Sequence, residues 1–336
     1  MKRRSFTAGL LAAAAAGRGA RAGARQAPAG VGAQQAPADA SRCQAVSTGG
    51  ISAADFQSYI AAFNRSDFDG FARFYAHDIE FHGQGGSFRG RDALVAFYRQ
   101  VKSRVRETIT VRSITQDESD LVADLVTELQ AVADWPEFPT GALRAGEIRH
   151  SENFVWYQAR NGEFTCVRSA HYRSGAVDES DAVASTGGSA SRTEPSAAGG
   201  TSQCAYTMPA ERFQAYIEAF NRDDYHGFGD YYDENVTLTI AGRKELRGRQ
   251  AIFDFYRDVK RQTHRTIVVD KLIRAPGRVA AELHSEFVAV EDSPDFIAGA
   301  LKTGQRIFIR TFVLYELRGE RFARIRSAEY RKLARP

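Results

Sequence analysis

The chain has 336 residues, of which 43% are hydrophobic, 11% aromatic and 26% charged, and its formal net charge at pH 7 is +4. This composition is typical of a globular protein and excludes a chain disordered throughout, a collagen and a coiled-coil rod, while the length predicts two domains of roughly 150 residues each. Three cysteines are too few for a disulfide-dense scaffold or for a cysteine-based zinc or iron–sulfur site.

The first segment, residues 1–22, is predicted to be an export signal. Basic residues 2–4 precede an apolar stretch at 8–16, and the Ala-Arg-Ala sequence at 20–22 offers a small-x-small cleavage site. The apolar stretch is far shorter than the about 20 residues of a membrane-spanning helix, so no stable membrane span is predicted. The adjacent arginines resemble a twin-arginine signal, which implies a periplasmic or secreted location. A basic N-terminus without a targeting role is the alternative.

The positive charge of the chain belongs largely to that first segment. Residues 1–22 hold five basic residues and no acidic one, so the remainder has a net charge of −1 instead of +4. Without a basic excess the chain lacks the electrostatic footprint of a nucleic-acid-binding protein, and no nucleic-acid partner is predicted. Residues 23–50, rich in Ala, Gly and Gln, are predicted to be a disordered tether.

The rest of the chain contains a tandem duplication. Residues 56–65 match residues 213–222 at an offset of 157, and residues 168–170 match residues 326–328 at an offset of 158. Each copy is long enough to form a core of its own. The stretch between them, rich in Gly, Ser and Ala, is typical of a flexible linker. The predicted organisation is domain 1 (51–173), linker (174–205) and domain 2 (206–333).

Within each copy the pattern changes from helical to strand-like. In domain 1, Phe56, Tyr59, Ile60 and Phe63 have the i, i+3, i+4, i+7 spacing of a buried helix face, and Ser52 is placed to be its N-cap. Two short helices are predicted at 71–75 and 94–101, and four strands at 108–114, 121–132, 148–158 and 164–172. Helices followed by antiparallel strands predict an α+β fold with the helices on one face of the sheet.

Alternation along the second of these strands predicts which face of the sheet is polar. Leu125 and Leu129 lie on one side and Asp124 on the other, and in domain 2 Leu283 is opposed to Glu282. The apolar side is expected to face the core, so the acidic side is expected to be the non-core face of the sheet.

Three motifs in domain 1 resemble a known family: Tyr59-Ile-Ala-Ala-Phe-Asn64, Asp67-Phe-Asp-Gly-Phe71 and Gly90-Arg-Asp-Ala-Leu94. They are similar to the SnoaL-like branch of the NTF2-like superfamily, which includes ketosteroid isomerase, polyketide cyclases and scytalone dehydratase. The resemblance covers residues 55–173 and 212–331. It implies two tandem cystatin-like cones, each with three N-terminal helices packed on a curved antiparallel sheet around an apolar pocket. Because the superfamily commonly dimerises through its sheets, it also implies that the domains pair within the chain as a pseudo-two-fold dimer.

The resemblance to ketosteroid isomerase implies catalytic positions in domain 1. The tyrosine of the first helix falls on Tyr59, the strand acid on Glu152 and the base aspartate on Gly83, so the aspartate is missing. His82 stands beside the vacant position, and the alignment turns His171 inward. The candidate catalytic residues are therefore Tyr59, His82, Glu152 and His171, which suit proton transfer next to a carbonyl. A core role for Tyr59 and a simple Glu152–His171 pair are the alternatives.

In domain 2 the same alignment leaves fewer catalytic groups. Tyr216 takes the tyrosine position, Ile240 that of the base, Arg310 that of the strand acid and Glu329 that of the inward histidine. A salt bridge between Arg310 and Glu329 is expected inside or at the rim of the cone. Domain 2 is therefore expected to be a binding or scaffold partner.

Further positions are expected to contact a ligand. Ser151 and Asn153 match a serine and an asparagine of scytalone dehydratase, by resemblance. The full set of ligand-binding candidates is Phe63, Phe74, Ser151, Asn153 and Trp156 in domain 1 and Tyr216, Arg310 and Glu329 in domain 2.

The sequence thus predicts an exported protein that binds a small apolar molecule. Cofactor-independent acid–base chemistry in domain 1, as in an isomerase, cyclase or dehydratase, is the more specific expectation. A non-catalytic ligand-binding protein and a protein-interaction pseudo-dimer are the alternatives. The sequence has no Gly-rich phosphate loop and no metal-ligand spacing, so neither a cofactor nor a metal is predicted.

The cysteines give one further prediction. Cys43 and Cys204 each lie shortly before the first helix of a copy, and in an oxidising compartment they are candidates for a disulfide bond. Cys166, on a strand, is predicted to be a buried thiol.

Overall fold

The structure, a computed structural model, describes residues 49–174 and 205–335. The predicted export signal, nearly all of the tether and nearly all of the linker lie outside these residues and stay predictions. No helix in the two described ranges is long and apolar enough to cross a membrane.

Domain 1 combines three helices with a six-stranded sheet. The helices are α1 (Ala53–Asn64), α2 (Phe68–Ala72) and α3 (Arg91–Lys102), and the strands are β1 (Tyr75–Gly83), β2 (Gly86–Arg89), β3 (Val105–Gln116), β4 (Asp120–Ala131), β5 (Ile148–Arg160) and β6 (Glu163–Ser174). The sheet order is β2-β1-β6-β5-β4-β3, with β1 and β6 parallel and the other neighbours antiparallel.

Domain 2 repeats this arrangement element by element. Its helices are α4 (Ala210–Asn221), α5 (Tyr225–Gly229) and α6 (Arg249–Gln262), and its strands are β7 (Tyr232–Ile240), β8 (Lys244–Arg247), β9 (Thr263–Ala275), β10 (Arg278–Ala289), β11 (Arg306–Arg318) and β12 (Arg321–Arg335). The sheet order is β8-β7-β12-β11-β10-β9, again with one parallel pair, β7 and β12. The prediction of two tandem α+β domains is therefore confirmed.

Helix α1 begins as its sequence predicts. Ser52 is the N-cap, because its Oγ accepts a hydrogen bond of 3.0 Å from the Asp55 backbone N–H. Phe56, Tyr59 and Phe63 are buried, as the spacing requires. The first helix of the duplicated unit is thus encoded locally by its cap and its apolar face.

The prediction of a helix at 71–75 is wrong at its C-terminal end. Helix α2 ends at Ala72, and Tyr75 starts strand β1, which the sequence analysis missed together with β2. The pairing of β1 with β6 shifts register between Tyr75 and Glu80. Because such a shift interrupts the alternation of inward and outward side chains, a period-two pattern is not visible there.

Each domain has a core between its helices and one face of its sheet. In domain 1 this core includes Phe56 of α1, Leu94 of α3, Leu125 of β4 and Tyr157 of β5. Domain 2 has an equivalent core around Phe213 of α4. The apolar side of the second long strand therefore faces the core, as the alternation predicts.

The opposite faces of the two sheets pack against each other. The rings of Trp156 and Phe312 have centroids 5.4 Å apart and belong to a buried apolar cluster with residues from both domains. The same cluster contains one stacked pair from each domain: Phe154 stacks on Tyr172 with centroids 4.3 Å apart, and Phe312 stacks on Tyr330 with centroids 4.4 Å apart. These contacts pair the two domains within one chain.

Two buried arginine–carboxylate pairs cross this interface. Arg168 donates to both carboxylate oxygens of Glu282, one of them at 2.7 Å, and Arg326 donates to Asp124. The two arginines are equivalent by the offset of 158, as are the two acids, so the pairs are related by a pseudo-two-fold axis. Although burial alone would raise it, the adjacent Arg168 holds the pKa of Glu282 below its ordinary value. The acidic non-core face of each sheet is therefore part of the domain interface.

Cys166 is disulfide-bonded, so the prediction of a buried free thiol is wrong. This residue lies on β6 and is buried. The chain has three cysteines, so a disulfide bond from Cys166 to another cysteine of the same chain is incompatible with the predicted bond between Cys43 and Cys204. Those two cysteines lie outside the described residues.

Candidate ligand-binding cavities

Domain 1 contains a cavity of about 580 Å³ on the core side of its sheet. Six aromatic side chains line it: Tyr59, Phe81, Phe97, Tyr98, Phe138 and Tyr157. Ile148 also borders the cavity and is 52% exposed, so the cavity opens to solvent near the start of β5. Small-molecule sites in proteins commonly have volumes of about 300–1,000 Å³, and this cavity falls within that range.

Polar groups of β5 and β6 line one side of the cavity. Asn153 Nδ2 donates to Ser151 Oγ at 3.1 Å, and Asn153 Oδ1 accepts from Gln84 Nε2 at 3.1 Å. His171 Nε2 lies 2.8 Å from Ser174 Oγ. Burial lowers the pKa of His171 below its ordinary value of 6.5, against the opposing effect of a nearby carboxylate. The neutral imidazole, which can accept a proton, therefore predominates at pH 7.

Among the described residues that line this cavity, Glu107 is the one with an acidic side chain. Burial raises the pKa of its carboxyl above the ordinary value of 4.5, and the charge of Lys102 opposes that rise. Within residues 49–174 and 205–335, no group donates a hydrogen bond to this carboxyl and no cationic nitrogen lies within 4.0 Å of it. Glu107 thus presents an unpartnered carboxyl to the cavity.

Glu107 is not among the site residues predicted from the sequence, although the pattern of β3 contains a signal for it. Val105 is buried and Ile109 lines the cavity, so the alternation of β3 places Glu107 on the apolar side of the strand. A charged residue on the core side of a strand is unusual and marks a candidate site.

Tyr59 lines the cavity, and its hydroxyl is already paired. The hydroxyl oxygens of Tyr59 and Tyr75 are 3.0 Å apart, and both rings belong to the aromatic core of domain 1. Burial raises the pKa of Tyr59 far above its ordinary value of 10. The side chain therefore supplies an apolar wall and a neutral hydroxyl.

The expectation that His82 faces the cavity is wrong. Its neighbours Phe81 and Gly83 line the cavity, so alternation along β1 turns His82 to the opposite face of the sheet. There its Nδ1 lies 3.0 Å from Ser87 Oγ, and burial lowers its pKa below the ordinary value.

The expectation that Glu152 faces the cavity is also wrong, for the same reason. Ser151 and Asn153 on either side of it line the cavity, and Glu152 points away. Its carboxylate lies 2.8 Å from Arg112 and 3.6 Å from Arg173, and its side chain is 5% exposed. The four predicted catalytic residues therefore do not converge, because Tyr59 and His171 line the cavity while His82 and Glu152 do not.

Three predicted ligand-binding residues of domain 1 lie away from the cavity. Phe63 and Phe74 are buried in the helix-facing core behind the cavity wall. Trp156 lies in the domain interface, where its Nε1 donates to Asp120 at 3.0 Å. The cavity is lined by aromatic side chains as well, so the residue type alone does not show whether an aromatic residue lines the cavity or lies elsewhere in the core.

Domain 2 has a cavity in the equivalent place, but its volume is about 120 Å³. Tyr216 and Glu329 line it. Arg310 points to the other face of the sheet, 3.6 Å from Asp270 and 3.8 Å from Glu282. The predicted salt bridge between Arg310 and Glu329 is therefore wrong. Glu329 of β12 lies opposite Thr311 of β11, the residue after Arg310, so Arg310 and Glu329 point to opposite faces of the sheet.

Larger side chains explain the smaller cavity. Four lining positions of domain 1 are occupied in domain 2 by bulkier residues, and the changes from domain 1 to domain 2 are Gly83 to Ile240, Glu107 to Arg265, Leu129 to Phe287 and Ser151 to Ile309. Arg265 lies with its guanidinium carbon 4.9 Å from the centroid of Phe287 and 5.2 Å from that of Phe220. It also donates to Ser285 Oγ at 3.2 Å. The chain's own side chains thus fill much of this cone.

A metal site is not evident in the described parts of either domain. No group of three or more His, Cys, Asp or Glu residues within 49–174 and 205–335 could hold a metal ion.

Comparison with known proteins identifies both halves of the chain. The family model of the SnoaL-like domain matches residues 56–166 and 213–325. Similar solved structures include a SnoaL-like polyketide cyclase from Agrobacterium tumefaciens, with 20% identity over 35% of this chain and 88% of that chain and a TM-score of 0.30. An LEH-like epoxide hydrolase from Mycobacterium tuberculosis has 15% identity over 34% of this chain and 74% of that chain, with a TM-score of 0.29.

A third similar structure contains a bound steroid derivative. It is a Mycobacterium tuberculosis protein in complex with estradiol-17β-hemisuccinate, with 17% identity over 34% of this chain and 89% of that chain and a TM-score of 0.28. No curated protein sequence matches this chain.

Proposed function

The chain belongs to the SnoaL-like family in both of its domains, and we propose that domain 1 binds a small, mostly apolar molecule in its cavity while domain 2 acts as a structural partner. The observation that carries this proposal is the difference between the two cones. A cavity of about 580 Å³ remains open in domain 1, whereas the equivalent cavity of domain 2 is reduced to about 120 Å³.

The chemistry of the walls supports an apolar ligand with a few polar groups. Aromatic rings supply large contact areas, and Ser151, Asn153 and His171 lie together on one side of the cavity. Sites that bind small molecules generally combine an apolar lining with a small number of placed polar groups, which fix the orientation of the ligand.

A cavity-filling variant of domain 1 tests this proposal. Leu129→Phe combined with Ser151→Ile introduces the residue types that domain 2 has at Phe287 and Ile309. With naphthalene-1-methanol as a fluorescent probe, we expect binding to be weakened by about tenfold or more, because the added atoms occupy the probe's volume.

Leu333→Phe is the matched control, because it makes the same type of change at a residue of domain 2 that is 42% exposed. Binding by this variant should equal that of the unchanged protein. If the filled variant binds the probe as tightly as the control, or if the unchanged protein does not bind it, the proposal is wrong.

Acid–base catalysis is a second candidate function, favoured by His171. Its imidazole lines the cavity, and burial keeps its pKa below 6.5, so that it can accept a proton at pH 7. Ring opening of 5-nitrobenzisoxazole needs one proton removed by a base, so it reports on such a group without knowledge of the natural substrate. We expect a rate above that of buffer, which falls by about tenfold or more in His171→Ala.

The control for this assay is His77→Ala, which removes an exposed histidine of β1. Its rate should equal that of the unchanged protein. Equal rates in both alanine variants would exclude His171 as the base.

We further propose that the protein is exported through residues 1–22. The twin-arginine-like sequence and the small-residue cleavage site support this proposal. Cell fractionation of the full chain should find it in the periplasm, and a variant with Arg3→Lys and Arg4→Lys should stay in the cytoplasm. Equal distribution of the two proteins would exclude a twin-arginine signal.

A further inference from the structure

Among the described residues, Glu107 is the one acidic side chain that lines the domain 1 cavity, and the nearby Lys102 donates from Nζ to the backbone carbonyl of Glu107 at 3.3 Å. Glu107 has no cationic partner within 4.0 Å in the described ranges. Arg149 also lines the cavity, but it is held by Glu147 at 2.7 Å and by the backbone carbonyl of Gly141 at 2.9 Å. His150 lies 2.9 Å from Glu128. The basic groups nearest the opening are therefore engaged elsewhere, and the Glu107 carboxyl is free to meet a ligand.

Domain 2 shows what the same place in the cone can accommodate. Arg265 stands at the position of Glu107, and its guanidinium carbon lies 5.2 Å from the ring centroid of Phe220 and 5.6 Å from that of Tyr256. Of the two counterpart rings in domain 1, Phe63 lies behind the cavity wall with Nζ of Lys102 3.9 Å from its centroid, and Tyr98 lines the open cavity at the position of Tyr256. Ring faces attract cations, so this part of the cone is suited to a positive group.

The two domains thus present complementary arrangements of one site. In domain 2 the protein supplies both the rings and the cation. In domain 1 it supplies the ring of Tyr98 and the carboxyl of Glu107, and both line the open volume. A ligand with its own cation would restore at Tyr98 in domain 1 the contact that Arg265 makes with Tyr256 in domain 2.

We propose that the ligand of domain 1 is an amine cation on an apolar body, with its ammonium or amidinium group bound by the Glu107 carboxylate and the face of Tyr98. This inference rests on the proposed binding function of the same cavity. A charged hydrogen bond between ammonium and carboxylate is short and strong, and it is strengthened where water is excluded. Burial alone opposes the ionisation of Glu107 in the empty cavity, and a bound cation removes that opposition.

A pair of probes with the same body tests the inference. 1-Naphthylmethylamine and naphthalene-1-methanol differ in one polar group, and only the amine is cationic at pH 7. By calorimetry at pH 7, we expect the amine to bind the full-length protein about tenfold more tightly than the alcohol, since a hydrogen bond to a charged group contributes more than a neutral one. Glu107→Gln should weaken amine binding by about tenfold and leave alcohol binding within about twofold.

Glu118→Gln is the matched control, because it removes one negative charge from an exposed turn of the same domain. It should change neither affinity. If the alcohol binds as tightly as the amine, or if Glu107→Gln weakens both probes equally, the inference is overturned while the binding function of the cavity stands. If neither probe binds the unchanged protein, both the binding function and the inference fail.

Discussion

The two domains keep the same outer sheet face and differ inside their cones. Across the interface, Arg168 pairs with Glu282 and Arg326 with Asp124, so each domain contributes the same two positions to a reciprocal contact. Inside the cones, the equivalent cavities measure about 580 Å³ and about 120 Å³. The comparison indicates that pairing constrains both outer faces, whereas the interior of each cone varies independently of the pairing.

A second ion pair shows how far the outer faces can vary. In domain 1, Arg112 lies 2.8 Å from Glu152, and in domain 2, Asp270 lies 3.6 Å from Arg310 at the equivalent positions. The signs of the charges are exchanged while the pair is kept. The difference between Glu152 and Arg310 at equivalent positions is therefore explained by the exchange of the two members of an ion pair. It does not indicate that one domain has a catalytic acid and the other has lost it.

The largest expected effect comes from breaking the reciprocal contact. Arg168→Met removes the bidentate partner of the buried Glu282 and leaves only the more distant Arg310, at 3.8 Å, and we expect the free energy of unfolding to fall by about 3 kcal/mol, because the charge of the carboxylate is then poorly compensated. By pseudo-symmetry Arg326→Met should have a similar effect. Urea unfolding of both variants measures this, and a loss confined to one of them would contradict the symmetry of the interface.

The exchanged pair gives the next largest effect. Glu152→Arg replaces the partner of Arg112 and Arg173 with a third positive charge, and we expect a loss of about 3 kcal/mol in the free energy of unfolding. Adding Arg112→Asp recreates in domain 1 the sign order of Asp270 and Arg310, so most of the loss should be recovered. If the double variant is no more stable than the single variant, the two pairs are not equivalent.

Opening the cone of domain 2 should have a smaller effect on stability and a clear effect on binding. Phe287→Leu with Ile309→Ser removes two buried apolar groups, and we expect a loss of about 2 kcal/mol in the free energy of unfolding. The enlarged cavity should add a second binding site, so that calorimetry with naphthalene-1-methanol reports two probes per chain instead of one. An unchanged stoichiometry would show that these side chains are not what closes the cone.

The smallest expected effect is a pH dependence of stability from Glu107. Burial raises its pKa in the folded protein, so the folded state holds this proton more tightly than the unfolded state. The contribution of Glu107 to the free energy of unfolding is therefore fully present below its ordinary pKa of 4.5. This contribution is lost as the pH rises through the pKa that Glu107 has in the folded protein. Lys102 is the charged group that opposes the rise, while Tyr59, Tyr98, Tyr157 and His171 line the same cavity.

Glu107→Gln removes this titration. The difference in the free energy of unfolding between the glutamine variant and the unchanged protein should shift in favour of the variant as the pH rises from 4 to 7. Urea unfolding at several pH values measures it. A difference that is constant with pH would contradict a raised pKa at Glu107.

Much of the fold was predictable from the sequence because it is encoded locally. The cap at Ser52 and the apolar face of α1 specify the first helix, and the alternation around Leu125 separates the core face from the interface. Strand β1 was not predictable in this way, because its parallel partner β6 is distant in the sequence and their register shifts after Tyr75.

The candidate site was only partly predictable. The resemblance placed Glu152 by alignment, but its side chain belongs to the outer face, since Ser151 and Asn153 line the cavity. His82 was misplaced for the same reason. Glu107 could be predicted from the alternation of β3, which places it on the core side of the strand, but it matches no catalytic position of ketosteroid isomerase in the alignment.

The most direct test of the difference between the cones is a crystal structure of the protein soaked with 4-bromonaphthalene-1-methanol, with the bromine located by anomalous scattering. If only the cone of domain 1 is open to a ligand, we expect one bromine per chain, inside domain 1 and close to Leu125 and Asn153, which line the open cavity. Bromine in the cone of domain 2, or only on the outside of the molecule, would contradict it.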